Sequence, residues 1–327
     1  MAAIRRILVA VKDPDARSSP ALAKGAQLAR ALDADLELFH GIATPLYVDP
    51  YSADERLPDT EHAMRARRLR RMESIAARLR KTGLRVRASV TWDFPIYEAI
   101  VRCANRQRAD LIVAERHAGR HILPGMLQLT DWELLRISPV PVLLVKKPRP
   151  YDRPAVLAAV DPAHALAKPA LLDKQILDLA STVARALRGP LHAVHAFAPF
   201  PADAGDGHLL SSRTVQAVIT QRKRTAQRML ARELRAFDVP AARRHLVGRH
   251  PIDAIEQTAR SIGSDMVVMG AISRSGLKRF IFGNTAEALL DSLPCDLLIV
   301  KPRGIAPRIQ AASRGVRFLM TPQLPAM

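Results

Sequence analysis

Short apolar runs alternate along this chain with longer stretches in which apolar residues recur every three or four positions. The first signal is that of a strand buried on both faces, the second that of a helix with one face on a core. Strands are predicted near 5–11, 35–41, 84–91, 110–115 and 140–146, with helices near 17–32, 57–82, 95–106 and 128–136. The alternation then starts again. Strands are predicted near 154–160, 190–197, 243–248, 265–270 and 296–301, with helices near 168–187, 212–237, 252–262 and 284–292. In the helix over 57–82, Leu69, Met72, Ile75, Ala76 and Leu79 are spaced to share one face. Pro95 and Pro251 stand where a first helical turn accepts proline.

The two halves are one unit written twice. His40 in LELFHGI and His195 in LHAVHAF lie 155 residues apart, as do Asp110 and Asp265, Pro139 and Pro294, and Lys146 and Lys301. A period this long marks a duplicated domain rather than a solenoid repeat. Strand and helix in alternation predict a doubly wound, parallel α/β sheet in each copy. The domains are expected at 1–149 and 150–303, joined through the proline-rich KPRPYDR of 147–153. Residues 304–327 lack periodicity and are expected to be a tail, mobile or draped over the surface.

Composition narrows the partners more than the fold. With 327 residues and 48% hydrophobic positions, the chain can build two ordinary cores. No apolar stretch is long enough for a membrane span. The opening MAAIRRILVAVKD has too short an apolar run, and no small-residue cleavage site, for a signal peptide, so a cytoplasmic protein is expected. Cys103 and Cys295 form neither a CxxC pair nor a disulfide framework. The net charge is +19, and nine arginines with Lys81 crowd 65–87 against one acid, Glu73. Such a surface attracts nucleic acid, anionic lipid or an acidic protein, yet ordinary solvated helix faces are the preferred reading, and no aromatic residues interleave to stack bases.

The stretch SDMVVMGAISRSGLKRFIFGNTAEALLDSLPCDLLIVK, 264–301, carries the chemistry. It reads as a strand, a loop bounded by Gly270 and Gly283, and a helix opening at Asn284-Thr285-Ala286-Glu287. Free N–H groups at a helix start, with its dipole, suit phosphate. Asn284-x-x-Glu287 also reads as a capping box that satisfies those N–H groups without any ligand. In a doubly wound sheet the ligand crevice lies at the carboxyl ends of the strands, which sets Asp161 beside Gly270. No GxGxxG, Walker loop, GxSxG elbow or HExxH pattern is present, and no metal ligand set is expected. His40 and His195 are read as satisfied core histidines; His117 and His121 fall in a predicted loop.

These blocks resemble the universal stress proteins, and in particular their tandem, E-type members, over roughly 4–303. TWDFPIYEAI, TDWELLR and FGNTAEALLDSLPCDLLIVKP are similar to that subgroup in order and spacing. The resemblance implies an adenine nucleotide alpha hydrolase-like fold, a stress-response role without catalysis, and ATP or another adenine nucleotide as ligand. Carried over, Asp161 would hold the base or ribose and Met269 would line the adenine pocket. Gly270, Ser273, Gly283, Asn284 and Thr285 would hold the phosphates, with Arg274, Lys278 and Arg279 as countercharge. Ser273 stands where the family has glycine, and Asn284 where it has Ser or Thr. The first copy has Glu115, Ala118, Gln128 and Leu129 at the loop positions, Lys12 at the aspartate position, and a Thr130-x-x-Glu133 box with Asp131, so no ATP is expected there. The family also implies pairing of the last strands, Val142–Val145 against Leu297–Val300, as a pseudo-dimer within one chain, with room for a further homodimer. A nucleotide-free interaction scaffold or nucleic-acid binder is the alternative, and a slow ATP hydrolase a second one.

Overall fold

The computed structural model describes residues 4–44, 46–48, 57–116, 130–163, 171–197, 212–270, 289–290, 292–302, 309, 312–315 and 318–320. The chain divides into two compact units, one of residues 4–144 with 306–327, the other of 1–3 with 145–305.

In the unit built on 4–144, β1 (Arg6–Ala10), β2 (Asp35–Ile42), β4 (Val86–Trp92), β5 (Leu111–Glu115) and β6 (Val142–Val145) form a sheet in the order β4-β2-β1-β5-β6. Register is fixed by apolar pairs such as Val9 opposite Leu38 and Val113, and the strand interiors are buried. Helix α1 (Pro20–Leu32) starts where Ser19 Oγ accepts the Leu22 N–H at 3.3 Å, with proline in its first turn, and stops at Asp33 in a left-handed conformation. The unit's other described helices are α2 (Leu57–Arg80), α3 (Ile96–Gln107) and α4 (Thr130–Ile137). Met72, Ile75 and Ala76 bury the inner stripe of α2 as expected, but Leu69 remains 37% exposed. The stripe stops at Met72 because the chain places Arg65 and Arg68, not apolar residues, one and two turns earlier on the same line.

The second unit repeats the order: β7 (Val156–Ala159), β8 (Leu191–Ala196), β9 (Arg244–Val247), β10 (Met266–Gly270) and β11 (Asp296–Val300) run β11-β10-β7-β8-β9, with parallel pairing along β10, β7, β8 and β9. Its helices are α5 (Leu172–Ala186), α6 (Ser212–Glu233) and α7 (Pro251–Ser261). Helix α6 ends earlier than the predicted 237, passing into a 3-10 turn over Leu234–Ala236. Asp296, fully buried, ties the linker down by accepting from the Lys146 N–H at 2.8 Å, the Lys147 N–H at 3.0 Å and the Tyr151 hydroxyl at 2.5 Å.

Two short strands escaped the hydrophobic pattern: β3 (Leu46–Val48) and β12 (Phe318–Met320) pair in parallel, Phe318 opposite Leu46. The C-terminal segment is therefore draped onto the first unit. Arg314 anchors it: its N–H donates to Asp93 Oδ1 at 3.0 Å and its guanidinium to Glu98 Oε1 at 2.8 Å. Both carboxylates also meet Arg102, at 2.5 Å from Asp93 and 3.1 Å from Glu98, and Asp93 is only 1% exposed. Buried acids need such partners.

Candidate functional site

The residues that recur at the 155-residue spacing serve the scaffold. His40 Nδ1 lies 2.9 Å from the Val11 carbonyl and His195 Nδ1 lies 3.3 Å from the Val160 carbonyl, each closing the end of a first strand. Burial lowers the His40 pKa, which keeps the ring neutral there. At the opposite edge Asp110 Oδ2 accepts from Arg5 N at 2.8 Å and Arg6 N at 3.0 Å, and Asp265 Oδ2 accepts from Ala155 N at 3.0 Å. The thiols are inert: both cysteines are buried, and burial pushes Cys295 up to about 11 and raises Cys103. His117 and His121 lie outside the described residues. Among the described residues no three His, Cys, Asp or Glu side chains gather as metal ligands.

The two copies part company at the carboxyl ends of the first and fourth strands of each sheet, where the sheet order switches. In the second unit Met269 pairs opposite Ala159, so Gly270 stands level with Val160 and Asp161 is one residue beyond. The Asp161 N–H donates to both oxygens of Asp173 at 3.2 Å, and its Oδ1 lies 3.8 Å from His195 Nδ1. Its carboxylate keeps 34% of its surface open. Met269 is buried beside it. A Cβ on Gly270 would fall 2.6 Å from Leu172 Cδ2 and 3.2 Å from Ile176 Cδ1, so the bare backbone lets α5 lie against the strand end. The structure thus brings Asp161, Met269 and Gly270 together. Ser273, Gly283, Asn284 and Thr285, with Arg274, Lys278 and Arg279, lie outside the described residues.

In the first unit the residue at the Gly270 position is Glu115, and its carboxylate turns onto α1. Its Oε1 accepts from Ser19 Oγ at 2.7 Å and from the Ala21 N–H at 3.1 Å. The start of α1 is thus capped by a carboxylate of the chain itself. Glu133 Oε2 accepts from Arg136 at 2.7 Å. Ala118, Gln128 and Leu129 lie outside the described residues.

Two sets of five strands in the same order, each with helices between successive strands, define a duplicated, doubly wound α/β protein. The Universal stress protein family profile matches residues 3–146 and again 156–301, and the chain belongs to that family. Universal stress protein E of Escherichia coli (strain K12) is 27% identical over 313 residues, covering 92% of this chain and 95% of that one. The protein of that name from Photorhabdus laumondii is 27% identical over 326 residues, covering 95% and 99%. Among solved structures, a functionally unknown protein of Pseudomonas aeruginosa PAO1 superposes with a TM-score of 0.69 at 25% identity, over 92% of this chain and 93% of that one. The tandem, E-type resemblance therefore holds along nearly the whole chain. No described helix is long and apolar enough to cross a membrane.

Proposed function

We propose that this universal stress protein acts as a non-catalytic stress-response sensor whose second domain binds an adenine nucleotide, while its first domain binds none at the matching edge. The observation that carries the reading is the half-open Asp161 carboxylate at the switch point, one residue beyond the level of a glycine strand end. A carboxylate there accepts hydrogen bonds from an adenine amino group or ribose hydroxyls, and Gly270 keeps the strand end free of side chain. Ser273, Gly283, Asn284 and Thr285 follow in the chain as the phosphate-holding residues. Occupancy of this edge would then shift the population of binding-competent states seen by partner proteins.

The test starts with protein purified without added nucleotide, denatured, and its released small molecules identified by mass spectrometry. Adenine nucleotide near one per chain is expected, with phosphate release no faster than background. Asp161→Ala and Gly283→Asp should each weaken ATP binding tenfold or more at unchanged thermal midpoint. An empty wild-type protein that fails to bind ATP in titration would overturn the reading in favour of a nucleotide-free scaffold.

A further inference from the structure

The first domain caps the start of α1 with Glu115, and its carboxyl edge carries an anion cradle. The loop after β1 runs Lys12-Asp13-Pro14-Asp15, and α2 passes over it. There the apolar inner stripe of α2 gives way to arginine. Arg65 Nε donates to the Val90 carbonyl at 3.3 Å, Arg68 pairs with Asp15 Oδ2, Arg71 Nε lies 3.3 Å from Asp15 Oδ1, and it also donates to the Pro14 carbonyl at 3.2 Å. Arg67 and Arg70 lie on the same arc of the helix, exposed and without an ion pair or hydrogen bond to the described residues. Together with Asp15 and Ser74 these arginines line a cleft of about 280 Å³.

Four guanidinium groups face one carboxylate, and the exposed neighbours Lys12 and Asp13 cancel each other. The four guanidinium groups converge on a strand-end loop at the sheet's carboxyl edge, where Asp15 and the Pro14 carbonyl hold Arg68 and Arg71 in place. Guanidinium forks match phosphate oxygens two at a time, and several forks around one cleft match neighbouring phosphates. The volume lies at the small end of ligand pockets, enough for linked phosphates and too little for a whole dinucleotide. We infer that the Asp15–Ser74 cleft of the first domain is a binding site for a small ligand carrying two or more linked phosphates, separate from the nucleotide edge of the second domain. Asp15 acts as its stand-in anion, holding Arg68 and Arg71 until phosphate replaces it.

The probe is inorganic tripolyphosphate, titrated calorimetrically into the full chain at low and moderate salt. The wild type should bind it with an affinity that falls as salt rises. R67Q/R70Q removes two arginines that hold nothing in place, and should weaken binding tenfold or more; R78Q/R235Q removes the same charge elsewhere and should change it less than twofold. D15N removes the competing carboxylate and should tighten binding threefold or more, which a merely structural role for Asp15 does not predict. ATP should compete through its phosphates and adenosine should not. Equal losses in the two double variants, weaker binding in D15N, or no wild-type binding at millimolar probe would each overturn the inference. Binding abolished by Gly283→Asp but unchanged by R67Q/R70Q would overturn it as well, while leaving the second-domain nucleotide reading intact.

Discussion

Glu115 and Gly270 end the same strand in two copies of one domain, and they do opposite things. Glu115 sends its carboxylate to Ser19 and to the Ala21 N–H, so the first domain satisfies its own helix start. Gly270 sends nothing, and α5 closes in on it through Leu172 and Ile176. What the copies share, the His40/His195 and Asp110/Asp265 pairs, holds strand ends together at either edge of the sheet. Within one duplicated chain, then, the retained residues report what the fold requires. The differences report what each copy was left free to become: one edge open beside Asp161, the other overlaid with arginines.

That comparison can be broken from either side. The largest effect should come from Arg102→Met, which strips a partner from both Asp93 and Glu98 in the first domain. Leaving buried carboxylates short of a cation costs about 3–5 kcal/mol, so the first domain's calorimetric transition should fall by roughly 10 °C while the second domain's stays. Next comes the exchange of strand ends. Gly270→Glu forces a Cβ against Leu172 and should cost the second domain about 1–3 kcal/mol; adding Leu172→Ala should recover part of it in a double-mutant cycle. The reverse change, Glu115→Gly, removes two hydrogen bonds at the start of α1 and should cost the first domain about 1–2 kcal/mol, read from denaturant midpoints.

The smallest effect is with pH. His40 has a lowered pKa in the fold, so the unfolded chain takes up its proton first. Stability present above the unfolded value of about 6.5 is lost as pH falls through that value toward the lowered folded one. His192 and His245 are lowered likewise by burial and add the same sign in the second domain. His40→Asn should flatten the first transition's dependence between pH 7.5 and 5.5 and leave the second's unchanged; equal slopes in mutant and wild type would remove His40 from the account.

Much of this was legible in residue order. Strand and helix succession, the duplication and the core role of the histidines follow from apolar period and from spacing, which are local properties. The position of Asp161 at the end of β7 was legible as well, because a doubly wound sheet dictates which residue follows its first strand. Glu115 was legible only as a missing glycine; that it caps α1 depends on Ser19, which is 96 residues away. The Asp93–Glu98–Arg102 cluster left a faint signal in an apolar helix carrying an acid and a base four apart, but its fourth member, Arg314, stands 216 residues from Glu98 and has no local mark. Leu69 failed because its neighbours Arg65 and Arg68 end the apolar stripe, a reading that needs the helix set against the β1 loop.

Arg314 also puts a clock into the molecule. The first domain leaves the ribosome first and begins to fold alone, domains generally doing so as they emerge. At that stage Glu98 has only one of its two arginines, and β3 has no partner strand. Both arrive only after the second domain has been synthesised. The first domain is thus completed by chain that follows the second, and a message truncated before Arg314 would release a first domain with an acid left short of charge, the kind of defect by which a cell's proteases recognise an unfinished product.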